Sequence, residues 1–282
     1  MHGRNAPCPQ HFRKVPKGLI DGQSSAPDSN AMILSVTPAS HKDQPMQFRT
    51  PIALAITTIL CLVNFSRGDD KPVPTSGLKT VAGGSVQYHL SLPQGWSPQS
   101  TWPILVTIDG SGHNFAENHS QFVSARAAHP FILVTPCVSS NGKDPADLQA
   151  VLAIVQEVQK SAQGQPKFFI TGFSAGGHVA WQCIFNHPEL LAGAAPAAGN
   201  FRFRGVEKVS QAPERVKLPI HGFLGDKDGV RQHLKPQWDD AVQLARENGY
   251  ENLTLTEVPD ADHQAFPKQV VAFFVTLLPP PK

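Results

Sequence analysis

Four short, uninterrupted apolar runs set the strongest limit on how this chain of 282 residues can fold. Residues 103–108 (PILVTI), 131–135 (FILVT), 167–171 (KFFIT) and 218–224 (LPIHGFL) lie next to Pro or Gly and lack the alternation of a half-exposed strand. Runs of this kind fit strands covered on both faces. Residues 85–92 alternate and stop at Pro93, which predicts a half-exposed strand, and 253–258 reads as another exposed one. Helical patterns lie between them. Residues 145–160 put Leu148, Val151, Leu152, Val155 and Val158 on one face, with Asp144 as a candidate N-cap, and 175–186, 236–248 and 267–278 are the others. Gly249 stands where a helix stop belongs. Strand and helix in regular succession predict an α/β fold, a mostly parallel central sheet flanked by helices on both faces. Only one clear strand precedes Pro103.

Composition narrows the class. With 40% apolar and 16% charged residues, the chain is neither a disordered tail nor a coiled coil. The net charge of +2 belongs to the N-terminal part: residues 1–68 hold seven Lys/Arg against three Asp/Glu, leaving seventeen against nineteen, or −2, for 69–282. No basic cluster interleaves with aromatics, so nucleic acid is not an expected partner.

The N-terminal part divides further. Residues 46–68 have a short polar start with one Arg, an apolar run over 51–63 and small residues at Ser66 and Gly68, the three-part pattern of a secretory signal peptide. The apolar run falls short of the roughly 20 residues a membrane span needs. Export, secreted or periplasmic, is therefore expected, with no stable membrane span after the leader is removed. Residues 1–45 are Pro/Ser/His-rich without periodicity and are read as a disordered or mis-annotated extension, with translation starting at Met46 or Met32. Residues 69–84 read as a linker and 85–282 as the folded domain. Cys8 and Cys61 would be lost with the leader, leaving Cys137 and Cys183, which can pair or remain two buried thiols.

The chemistry starts at Gly172-Phe173-Ser174-Ala175-Gly176-Gly177, between an apolar run and a helical pattern. A serine on such a strand-to-helix turn needs residues without bulk two positions to either side, and Gly172 and Gly176 supply them. It also sits at a helix N-terminus, where free N–H groups favour developing negative charge. A serine hydroxyl needs a base and an orienting carboxylate to act as a nucleophile. His263 lies in the loop after the last strand, and Asp226 and Asp228 lie in the loop after 218–224. Asp228 is the preferred carboxylate from its spacing to Gly225, with Asp226 as the alternative. Such loops converge at the carboxyl ends of parallel strands. Residues 108–112 (IDGSG) follow another strand, so the N–H groups of Ser111 and Ala175 are the candidate oxyanion donors.

Taken together, residues 172–180 (GFSAGGHVA), 108–112, 225–228 (GDKD) and Asp262-His263 resemble the α/β-hydrolase superfamily, closest to its secreted esterases and its dienelactone-hydrolase-like or depolymerase-like members. The resemblance covers about 85–278. It implies Ser174 as nucleophile, His263 as base, Asp228 as third member, and Ser111 with Ala175 as oxyanion hole. There are two departures: Asp109-Gly110 stands where the family has His-Gly, and the single clear strand ahead of Pro103, where the family has more, implies a sheet trimmed at its N-terminal side. Residues 200–217 are too short for a lid domain, so an open site edged by Phe201 and Phe203 is expected, suited to a small-molecule or polymeric ester.

The expected function is a serine hydrolase cleaving a carboxylic ester through an acyl-enzyme. The alternatives are a serine peptidase related to prolyl oligopeptidases, or a non-catalytic hydrolase-like binding module. No cofactor or metal is expected. His113, His119 and His129 lack ligand spacing, and no H-E-x-x-H, paired C-x-x-C, G-x-G-x-x-G or Walker sequence occurs. Arg202 and Arg204 are either solvated or recognise a substrate carboxylate. Trp181, Cys183 and Phe185 read as core.

Overall fold

The computed structural model describes residues 74–139, 145–202, 205–206 and 208–280, all within a unit that runs from Ser66 to Lys282. The extension, the leader, Asp144, Phe203 and Arg204 lie outside the described residues.

Eight strands form one sheet in the order β1-β2-β4-β3-β5-β6-β7-β8. They are β1 (Gly77–Thr80), β2 (Gln87–Ser91), β3 (Trp102–Ile108), β4 (Ile132–Pro136), β5 (Gly164–Phe173), β6 (Leu191–Ala197), β7 (Ile220–Gly225) and β8 (Leu253–Val258). β2 pairs antiparallel with both β1 and β4, and every other pairing is parallel. The α/β architecture is as expected. The sheet is fuller than expected at its N-terminal side, because β1 falls inside the stretch read as a linker. Its four residues are mostly exposed and Leu78 faces solvent, so backbone pairing with β2 defines the strand and no apolar pattern marks it.

Among the described residues five helices cover the sheet: α1 (Phe115–Arg126), α2 (Pro145–Ser161), α3 (Gly177–Asn186), α4 (Arg231–Glu247) and α5 (Pro267–Thr276). Side chains alternate across the strands into two apolar cores. Ile104, Val106, Ile132, Val134, Phe168 and Ile170 pack with α2, α3 and α4 on one face. Leu105, Leu133 and Phe169 pack with Phe122 of α1 and Val270, Val271 and Phe274 of α5 on the other. This is the period of two that strands impose.

The expected elements shift where local chemistry hides them. β6 (LAGAAPA) has few β-branched residues and contains Pro196, yet its small side chains let a helix approach: a Cβ at Gly193 would lie 2.8 Å from Leu277 Cδ1. α1 carries no apolar stripe, because its inward positions, spaced by four, are Asn118, Phe122 and Arg126. The Arg126 guanidinium donates to the carbonyls of Ser91 and Phe131, each at 3.0 Å, tying α1 to β2 and the start of β4. α4 begins at Arg231, five residues before the expected start, with Pro236 inside it.

Phe201 is core, not the rim of an open site. It is 2% exposed and packs against Trp181 and Phe185, both at a ring-centroid distance of 5.6 Å. Cys183 is buried and Cys137 half-buried, and both are free thiols.

Candidate active site

The carboxyl ends of β3, β5, β7 and β8 place four loops at one rim of the sheet. β5 ends at Phe173 and α3 starts at Gly177, so the reversal is made by a 3-10 turn of three residues, Ser174–Gly176. Ser174 has φ 48°, a left-handed conformation that non-glycine residues seldom adopt. The flanking glycines are required by close approach. A Cβ at Gly176 would sit 2.6 Å from the carbonyl oxygens of Ile108 and Asp109, and one at Gly172 would sit 2.6 Å from the Gly176 carbonyl carbon. The turn closes against β3 only because both side chains are absent.

The loops after β7 and β8 interlock in the same way. The Lys227 N–H donates to the Ala261 carbonyl at 3.0 Å, and a Cβ at Gly225 would lie 2.7 Å from the Asp262 carbonyl oxygen. That packing sets Asp228 against His263. Asp228 is 5% exposed, its Oδ2 lies 2.7 Å from His263 Nδ1, and its Oδ1 accepts the Val230 N–H at 2.8 Å. Asp226, the alternative carboxylate, is exposed. With Nδ1–H donated to Asp228, Nε2 of His263 is left as the acceptor nitrogen. The imidazole leans on Phe173 at a centroid distance of 4.8 Å.

Ser174 and His263 share the wall of a cleft of about 320 Å³ that Asn200, Arg202, His233 and Leu234 also line. Arg202 is a sequence candidate for contact with substrate, whereas His233 has no sequence signal, because it lies in the part of α4 that Pro236 conceals. Of the candidate oxyanion donors, Ala175 follows Ser174 in the 3-10 turn, and Ser111 is exposed in the loop after β3. Gly110, its neighbour, lies against the serine: a Cβ there would be 3.2 Å from Ser174 Cβ. His113 and His119, weighed as metal ligands, are engaged elsewhere. His113 Nε2 is 3.0 Å from the Ser139 carbonyl, and His119 Nδ1 is 2.9 Å from Thr135 Oγ1.

Comparison with known proteins gives the same picture. A family model described as the Dienelactone hydrolase family matches residues 132–266, a stretch that includes Ser174, Asp228 and His263. The protein NocK of Nocardia uniformis subsp. tsuyamanensis, which carries a provisional esterase name, is 27% identical over 173 residues. That alignment covers 54% of this chain and 47% of NocK, so the chain spans about half the length of the curated relative it matches. Poly(aspartic acid) hydrolase-1 from Sphingomonas sp. KT-1 superposes with a TM-score of 0.56 at 18% identity, covering 74% of this chain and 98% of that one. The poly(3-hydroxybutyrate) depolymerase LpqC from Bordetella parapertussis gives 0.57 at 15% identity, covering 73% and 93%. At these identities the structural likeness speaks for the fold. The chain therefore shares the fold of these hydrolases, an eight-stranded and mostly parallel α/β sheet, and its residues 132–266 are similar to the dienelactone hydrolase family.

Proposed function

We propose that this protein is a serine hydrolase that cleaves carboxylic esters through a covalent acyl-enzyme, and that residues 46–68 direct its export. The observation that carries the reading is the 2.7 Å pairing of His263 Nδ1 with a buried Asp228, beside a cleft that His263 shares with Ser174.

The chemistry follows from the residues. Ser174 Oγ attacks the ester carbonyl carbon while its proton passes to His263 Nε2, and the carbonyl electron pair moves onto oxygen. Asp228 stabilises the imidazolium and fixes its orientation. The oxyanion is received by the N–H groups of Ala175 and Ser111. One such donor is worth about a hundred- to a thousandfold in rate. Collapse of the tetrahedral intermediate breaks the bond to the alcohol, whose oxygen takes the proton from Nε2. Water then repeats the sequence with His263 as base, releasing the acid and restoring Ser174.

Ser174→Ala is expected to abolish p-nitrophenyl acetate hydrolysis and fluorophosphonate labelling with an unchanged circular dichroism spectrum. Undiminished turnover would end the assignment. Cleavage of an amide analogue at a rate comparable to the ester would favour a peptidase. A protein that takes no label yet binds a glycan would be a binding module. N-terminal sequencing of the exported protein checks the leader, with a start near residue 69 expected.

A further inference from the structure

His263 separates two cavities. One is the cleft it shares with Ser174. The other, of about 200 Å³, lies between the end of β3, the first turns of α1 and the His263 loop, with the Phe173 and His263 side chains in its wall. Asp109, Asn114, Glu117, Asn118, Gln121 and Gln264 supply the rest of its lining. The space equals the bulk volume of roughly six or seven waters, enough for a three-carbon polyol or part of a sugar ring.

Two of these side chains are buried and lack partners. Asp109 is 6% exposed and Asn118 5% exposed, and among the described residues neither Asp109 Oδ2 nor Asn118 Nδ2 has a hydrogen-bond partner. Buried polar atoms are paired almost without exception, because desolvation without a compensating bond costs free energy. Both side chains border this one small pocket, one offering an acceptor and the other a donor just beneath its wall. Asp109 is also where the sequence departs from the family's His-Gly pattern, and Asn118 is one reason α1 shows no apolar stripe.

We propose that this pocket is the leaving-group subsite and that it receives the hydroxyl-bearing alcohol of a polyol or sugar ester. The proposal rests on the serine-hydrolase reading above. In that reading His263 Nε2 gives its proton to the departing oxygen, so the alcohol leaves beside the imidazole, which borders this pocket as well as the Ser174 cleft; the proposal assigns the alcohol to the polar pocket and the acyl group to the cleft. The lining selects the chemistry. Carboxylates at Asp109 and Glu117 accept only, whereas the carboxamides of Asn114, Asn118, Gln121 and Gln264 also donate. A hydroxyl group does both. A substrate carboxylate would be repelled by Asp109 and Glu117, and an alkyl alcohol would leave both buried atoms unpaired.

The test holds the acyl group constant. The full chain is assayed on glycerol 1-acetate and on propyl acetate, which differ only in the two hydroxyls of the alcohol. A kcat/KM ratio of at least about tenfold in favour of the glycerol ester is expected, because a site built to bond a hydroxyl discriminates against its absence. Asn118→Leu should bring that ratio towards one. Glu117→Ala, on the exposed face of α1, should lower it as well and serves if the buried variant fails to fold. Equal turnover of the two esters by the unaltered protein overturns the proposal, as does a preference that survives in a folded variant at either position. Fluorophosphonate labelling of Ser174 separates the two readings: a labelled enzyme without the preference removes only the subsite, and an unlabelled protein removes both.

Discussion

The Oδ2 of Asp228 and the Nδ1 of His263 lie 2.7 Å apart, although they are 35 positions apart in sequence, with the whole of α4 and β8 between them. The same carboxylate accepts the Val230 N–H through its other oxygen, so its orientation is fixed from both ends.

Replacing that carboxylate tests its part in turnover. Asp228→Asn keeps the shape but takes away the charge and the tautomer control, and should cut kcat for p-nitrophenyl acetate by about 10⁴-fold. Asp226→Asn, two residues away on an exposed position, should change kcat by less than about twofold. A steady-state comparison of the pair decides which carboxylate the imidazole depends on.

Glycine at 176 should prove irreplaceable for a steric reason. Gly176→Ala drives a methyl group to 2.6 Å from two backbone oxygens of the β3 end, which cannot rotate away. A loss of about 3 kcal/mol in urea unfolding is expected. Gly229→Ala meets nothing within 4 Å and should stay within about 0.5 kcal/mol of the parent.

The protein should lose stability in mild acid through His119. Burial, helped by the nearby His89 and Arg126, pushes the His119 imidazole down to about 4 from its ordinary 6.5. Between those values the unfolded chain binds a proton that the folded one refuses. The stabilisation is therefore complete above about pH 6.5 and declines as pH falls through 6.5 towards 4. At pH 5 the loss is on the order of 1–2 kcal/mol. Denaturant titrations at pH 7.5 and pH 5 should show it, and His119→Asn should reduce the difference.

Arg126 should matter through its hydrogen bonds. Arg126→Met leaves the Ser91 and Phe131 carbonyls without their donor at the junction of α1 with the sheet. Destabilisation by about 1–3 kcal/mol is expected from thermal melts.

The sequence exposed the parts of the molecule whose residues have one job. The interior strands β3, β4 and β5 are read from apolar runs because both faces are buried. The placements of Ser174, Asp228 and His263 follow from loops at strand ends. Where one residue answers to two demands, the signal is lost. β6 is built of alanine and glycine because helices press on it, α1 exchanges apolar positions for Asn118 and Arg126, and Pro236 marks a helix start while sitting inside one. The unpaired polar atoms of Asp109 and Asn118 had no sequence signature, since burial is a property of the assembled fold.

The left-handed backbone at Ser174 also bears on how the protein melts. A side chain there resists the conformation that the turn demands, and glycine would adopt it freely. Ser174→Gly should thus be harder to unfold than its parent, and on the proposed mechanism it would also be inert, so that chemistry and thermal endurance would pull this corner in opposite directions.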